Sequence, residues 1–363
     1  MKVGVITVYY ANYGSYYQAE ALCDAVRKLG HECELVNTSI RGWKLYKYYI
    51  GKFVDSIAPD AWMEKVAAKV NAFNIYRSLK EDVKKLQISP ASFSMKKLAK
   101  RYDCIIVGSD ILWAVTNPCM KFVPAYFGEG IACPHITYAT SALTLDNPSP
   151  KVEKRMIEGL SGFTRLSARD DFTCNYVRQK TGKDCELVLD PTLLNPYFGS
   201  SGEGKGGYII VYGEHFTLEQ IDAVKKFSRQ TGWRTKAVSW HQDWCDEFEN
   251  VNSGAELQML YSKSEYCMSS TFHGTIFAVL NHRQFTSFPA PGRTEKIRFV
   301  LSQIGLEKRI YTSENKNCID MKIDYNCVDR QLAEWQGKSF DYLENALQEC
   351  QNKLEGKKQY EDM

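Results

Sequence analysis

The sequence has no apolar run approaching the roughly 20 residues that cross a bilayer, no CxxC pair among its 12 cysteines, and no marked excess of either charge. The first absence argues against a membrane-spanning protein. The second argues against structural zinc; Cys23, Cys104 and Cys267 fall inside apolar runs and read as reduced core residues. The third, 46 Lys and Arg against 43 Asp and Glu, leaves a formal charge of +3 and no global case for a nucleic-acid or strongly acidic partner. With 44% hydrophobic and 25% charged residues, disordered, collagen-like and coiled-coil classes are excluded. A chain of 363 residues can bury a sizeable core without staples, and its length suggests two domains. It opens directly into MKVGVITV, without a basic n-region or a cleavage site, so a soluble cytoplasmic protein is expected.

Strand and helix signals alternate through most of the chain. VGVITV (3–8), a polar turn, the amphipathic QAEALCDAVRKLG (18–30) ending on Gly30, and ECELVN (32–37) form a βαβ unit, which implies a parallel sheet. DCIIVGSD (103–110), HITYATS (135–141), TRLSARD (164–170) and CELVLDPT (185–192) extend the pattern. NPYFGSSGEGKGG (195–207) has linker composition. The alternation then restarts with GYIIVYG (207–213), a helix over 218–232, RTKAVSW (234–240) and SEYCMSS (264–270). The expected fold is α/β, with two Rossmann-like domains facing a cleft: 1–195 and 207–335. A C-terminal amphipathic helix over 336–363 would pack back on the body, since Phe340, Leu343, Leu347, Cys350 and Leu354 share one face. The segment 41–101 reads as a helical insertion with 14 Lys and Arg against 5 Asp and Glu. Solvated surface helices are the plainer reading. Peripheral docking at the inner face of a membrane, on anionic lipid or a polyprenyl-phosphate-linked substrate, is the sharper one.

Four constellations carry chemistry. ANYGSYYQ (11–18) lies between the first strand and helix, where an open parallel sheet binds ligands. Asn12 and Ser15 offer side-chain donors beside helix N–H groups, and Gly14 permits close approach; an ordinary turn is the alternative. This loop has neither GxGxxG nor GxxxxGK[ST], which argues against a nicotinamide cofactor or P-loop nucleotide. VGSDILW (107–113) places Asp110 at a strand end with Trp113 beyond, suiting a sugar hydroxyl and a sugar ring. The alternative is a helix cap with Trp113 in the core. SSTFHGTIFAVLN (269–281) sets Ser270, Thr271 and His273 at a helix N-terminus, an anion-binding place with a candidate acid/base group. Arg169, Arg293 and Lys296 supply cations for carboxylate or phosphate, with surface ion pairs as the plainer reading.

In order along the chain, NYGSYYQAEAL (12–22), VGSDILW (107–113), ITYATS (136–141), SARDDFT (167–173), VLDPTLL (188–194), STFHGTIF (270–277) and KIRFVLSQIGLEKR (296–309) resemble the polysaccharide pyruvyl transferase family. The resemblance implies a GT-B-like pair of Rossmann-like domains. It also implies transfer of pyruvate from phosphoenolpyruvate, a co-substrate, to two hydroxyls of one saccharide or lipid-linked saccharide. The products would be a cyclic ketal and phosphate, in capsule, exopolysaccharide or cell-wall polymer synthesis, with no obligatory metal or cofactor. The family's histidine falls on His273 and its S-x-R arginine on Arg169, a phosphoenolpyruvate anchor; Asn12, Gly14, Ser15, Thr271 and Lys296 would line the donor site. Asp110 and Trp113 would meet the acceptor. Departures from the family pattern are Ile111, Ala114, Ser270 and Thr271, the last where other members carry Arg. The alternatives are a nucleotide-sugar glycosyltransferase of similar architecture and a non-catalytic carbohydrate-binding member.

Overall fold

A computed structural model describes residues 1–38, 77–92, 94–117, 120–142, 148–194, 204–289 and 294–361. Most of the basic insertion, the linker up to residue 203, and Arg293 lie outside the described residues.

The N-terminal half is built on β1 (Lys2–Ile6), β2 (Glu32–Leu35), β3 (Cys104–Val107) and β4 (His135–Thr137), in the order β2-β1-β3-β4. Every pairing is parallel. β3, CIIV, is buried along its whole length, as a strand covered on both faces must be. A short parallel pair, β5 (Ser167–Ala168) and β6 (Glu186–Leu187), continues this sheet through a bridge between Thr140 and Ala168. The C-terminal half repeats the scheme with β7 (Tyr208–Tyr212), β8 (Arg234–Val238), β9 (Glu247–Glu249), β10 (Tyr266–Ser269) and β11 (Gln284–Ser287). Their order is β11-β10-β7-β8-β9, again all parallel. The α/β class with two parallel sheets is therefore as expected from the alternation.

Two helices deliver the site. The first, α1 (Tyr13–Lys28), follows β1 and starts five residues earlier than its apolar spacing suggests. Asn12 caps it, its side chain accepting from the Ser15 N–H, while the Ser15 hydroxyl accepts from the Asn12 N–H. That reciprocal pair closes the turn expected at 9–17 into helix and carries Tyr13, Tyr16 and Tyr17 into the core. After it come α2 (Pro150–Ser161), α3 (Asp171–Thr181), α4 (Leu218–Thr231) and α5 (Gly254–Lys263). The second delivering helix, α6 (Phe272–Leu280), follows β10 and is buried almost throughout.

The halves share one apolar cluster. Tyr17 of α1 packs edge-on against Phe277 of α6, with ring centroids 5.8 Å apart, and Phe277 meets Tyr212 at the end of β7. After α7 (Thr294–Gln303) the chain closes with α8 (Tyr325–Glu361), 37 residues or about 55 Å long. It begins eleven residues before the expected helix. Tyr325 Oη donates to the Arg283 carbonyl in the C-terminal half. Further along, Ser339 Oγ accepts from the Leu189 N–H, and Tyr342 Oη donates to the Thr137 carbonyl in the N-terminal half. Leu343, Leu347 and Cys350 are fully buried, so the expected apolar face does pack on the body. No disulfide forms among the described residues, and Cys23, Cys104 and Cys267 are core residues as expected.

Candidate active site

The strand ends that precede α3 and α6 bring the chemistry-bearing residues together. Arg169 follows β5 and is buried. One terminal nitrogen donates to Asp190 Oδ2 at 2.7 Å, the other to Asp110 Oδ1 at 3.3 Å. Asp190, just beyond β6, is fully buried; its Oδ1 accepts from the Thr192 N–H at 3.1 Å and the Thr192 hydroxyl at 2.8 Å. Asp110 also accepts from the Ile111 N–H, in a left-handed backbone conformation (φ 75°) uncommon outside glycine. Arg169 Nε is buried and makes no hydrogen bond.

From the opposite half, α6 presents Phe272 and His273 in its first turn. His273 Nε2 lies 3.9 Å from Asp190 Oδ1, beyond hydrogen-bond reach, and is a second buried polar atom without a partner. Phe272 ties the cations to the histidine. The Arg169 guanidinium carbon sits 4.9 Å from its ring centroid and Lys296 Nζ, from the first turn of α7, 4.2 Å from it. Lys296 makes no hydrogen bond or ion pair among the described residues. Gly14 is the contact point of the two halves here. A methyl group on it would lie 2.3 Å from the Cγ and Nδ1 atoms of His273.

Proximity and burial sort the protonation states. Burial lowers the His273 pKa to about 4; Asp190 and Asp110 oppose the shift, Lys296 and Arg169 reinforce it. The imidazole is thus neutral at pH 7, as its place at a helix N-terminus also favours. Burial, reinforced by Arg169, lowers Lys296 to about 7, against the pull of Asp110, Asp190 and Asp170. Burial acts to raise the Asp110 carboxyl, but Arg169, Lys296 and His273 together hold it down at about 2. Asp190 behaves alike: burial is outweighed by His273, Arg169 and the Thr192 hydrogen bonds, and its pKa is lowered. The arrangement can hold an anion beside a neutral imidazole and an ammonium near its titration point.

The expected residues separate into two groups. His273, Arg169, Asp110, Lys296 and Gly14 converge. Trp113 does not: it is 1% exposed, donates its indole N–H to the Tyr126 carbonyl and stacks near Phe127, so the core reading replaces the acceptor platform. Ser15 is also corrected, since its buried hydroxyl is committed to the α1 cap and to the Asn12 carbonyl. The oxygen of Asn12 is held by the same cap. Thr271 caps α6, its hydroxyl accepting from the Gly274 N–H, and so shapes the helix end rather than offering that oxygen to a ligand. Asp110 faces Arg169, which makes it a partner of the cation. Asp190 and Phe272 were not singled out from sequence. A carboxylate just past a buried strand, the signal used for Asp110, was equally present in VLDPT.

Fold and site together define an α/β protein whose halves meet over an anion-receptive cluster with one neutral histidine. A sequence model of the polysaccharide pyruvyl transferases matches residues 12–289, most of the chain. The chain belongs to the polysaccharide pyruvyl transferase family, a family of transferases. No curated protein matches it in sequence at a significant level. Among solved structures it is similar to UDP-GlcNAc 2-epimerase from Neisseria meningitidis, with TM-score 0.49 at 10% identity, covering 96% of this chain and 99% of that one. It is also similar to UDP-GlcNAc 2-epimerase from Methanocaldococcus jannaschii, with TM-score 0.48 at 9% identity over 92% and 93%. The Streptomyces sp. SF2575 glycosyltransferase SsfS6 gives TM-score 0.43 at 13% identity over 96% and 99%. Among the described residues no helix is long and apolar enough to cross a membrane, and no group of three metal-ligating side chains occurs.

Proposed function

We propose that this chain transfers pyruvate from phosphoenolpyruvate to two hydroxyls of one saccharide unit, forming a cyclic ketal in the synthesis of a capsule, exopolysaccharide or cell-wall polymer. The observation that carries the reading is one cluster holding a neutral imidazole, an ammonium and an arginine N–H that all lack a hydrogen-bond partner among the described residues. Phosphoenolpyruvate bears a phosphate and a carboxylate on one small frame, and its transfer requires proton movement. Lys296 and the Nε of Arg169 supply donors to the anion, and His273 takes the proton of an attacking hydroxyl. Asp190 and Asp110 hold Arg169 in place.

The test is thermal stability with phosphoenolpyruvate, ATP and UDP-sugars, followed by phosphate release across a saccharide panel. A ligand at a hundred times its dissociation constant adds about 2.7 kcal/mol, a readily measured shift. Stabilisation by phosphoenolpyruvate alone, with phosphate release on adding one saccharide, is the expected result. Stabilisation by a UDP-sugar alone, with nucleoside diphosphate release, would replace this reading with a glycosyltransferase.

A further inference from the structure

Ketal formation from an enol phosphate needs two kinds of proton transfer. A proton must be given to the methylene carbon, and another must be taken from the hydroxyl that attacks. We propose that Lys296 is the acid that protonates the methylene carbon of phosphoenolpyruvate, while His273 serves the acceptor hydroxyl as base. This division rests on the reading given under Proposed function.

The geometry reaches it by elimination. Arg169 is gripped by Asp110 and Asp190, and a guanidinium does not give up a proton at neutral pH. Asp110 and Asp190 are the carboxylates that balance it. Asp170 caps α3, its Oδ1 accepting from the Thr173 N–H at 2.7 Å. His273 is neutral, so it starts the cycle as an acceptor. Lys296 remains. Its ammonium rests on the Phe272 face, a contact that holds the charge without occupying an N–H. The groups acting on it are Arg169, Asp110, Asp190, Asp170 and His273; on its own helix the neighbouring Glu295 is solvent-exposed. An ordinary lysine is a feeble acid at pH 7, but one shifted to about 7 by burial and an adjacent arginine is matched to the task.

The step balances. A proton passes from Lys296 Nζ to the methylene carbon, whose π electrons form the new C–H bond, and the central carbon gains oxocarbenium character. The first sugar hydroxyl bonds to that carbon as its proton passes to His273. The carbon–oxygen bond to phosphate then breaks, and the departing phosphate takes from His273 the proton that the imidazole had accepted. The second hydroxyl closes the ring and returns its proton to the Lys296 amine. Both groups end as they began.

Two measurements test the assignment. The first is competitive acetylation with trace acetic anhydride from pH 5 to 9, read by mass spectrometry. Lys296 should react at least about tenfold faster at pH 7 than the exposed Lys154, and phosphoenolpyruvate should protect it. The second is Lys296→Arg, which keeps the cation and removes the acid. It should bind phosphoenolpyruvate within about threefold of wild type yet release phosphate about 10²–10⁴-fold more slowly. A Lys296 no more reactive than Lys154, or a Lys296→Arg variant within threefold of wild-type turnover, overturns the proposal alone. A wild-type protein that neither binds nor turns over phosphoenolpyruvate overturns the donor reading, and this step with it.

Discussion

Gly14→Ala tests the junction most directly, because it adds one methyl group where the two halves touch. That carbon would stand 2.3 Å from His273 Cγ and Nδ1 and 2.7 Å from its Cβ, whereas relaxed carbon contacts lie at about 3.5–4.0 Å. Something must move by more than about 1 Å. The start of α1 is held by the Asn12–Ser15 cap and by Tyr17 against Phe277, so the displacement falls largely on the imidazole. Overpacking of this kind costs about 1–3 kcal/mol, and misplacing a catalytic group by 1 Å costs about 10²-fold in rate. Urea denaturation should show the stability loss. Phosphate release, assayed well below the unfolding transition, should show the rate loss with phosphoenolpyruvate affinity changed far less. In the Gly14→Ala/His273→Ala double variant the two ring contacts are gone, so the stability losses should be strongly non-additive. Strict additivity together with normal turnover in Gly14→Ala would refute the claim that Gly14 exists to admit His273.

Arg169→Met should destabilise by about 3–5 kcal/mol in urea titration, because it leaves the fully buried Asp190 and the half-buried Asp110 without their cation; a loss under 1 kcal/mol would contradict the ion-pair geometry. Acid sensitivity follows from His273. Its folded pKa is about 4 against an ordinary value near 6.5, so the unfolded chain binds the proton first and stability falls as pH drops from about 6.5 to 4, by about 3 kcal/mol. His273→Asn should flatten that limb, abolish turnover and keep the fold. It should leave the further decline between pH 3.8 and about 2, where Asp110 is protonated in the folded state; an unchanged profile from 6.5 to 4 would show that the imidazole is not buried neutral.

Much of the architecture is legible because parallel strands are buried on both faces and so stand out as β-branched runs: VGVI, CIIV and YIIVY each become a strand within a residue or two. Elements lacking that signature were not read. β9, Glu-Phe-Glu at the edge of its sheet, carries one apolar residue, and that residue is partly exposed. The start of α1 is hard to place from sequence because five tyrosines and a glycine over 9–17 look like a turn, whereas burial of Tyr13, Tyr16 and Tyr17 across the junction makes helix the better state. Trp113 shows the limit from the other side. Its neighbours in sequence point to a site, and only the Tyr126 carbonyl at 2.8 Å explains why its indole turns inward.

The site was legible as a set of residue types but not as a set of roles. Sequence identifies Arg169 as the natural anion anchor, yet pairing with Asp110 and Asp190 neutralises it before any ligand arrives. Asp190 was overlooked for the same reason: the two residues lie 21 positions apart, and nothing local links them. Once paired, the arginine orients two carboxylates, one of which stands 3.9 Å from the His273 ring. Among the described residues, the site cation left without a hydrogen bond or ion pair is then Lys296, which the sequence offers as one of three candidate cations without ranking them. Desolvation makes the charge of the half-buried Lys296 costly in the unliganded protein and lowers its pKa to about 7 against the pull of Asp110, Asp190 and Asp170. An anion that both neutralises Lys296 and accepts its proton fits this arrangement better than one that merely sits on an arginine.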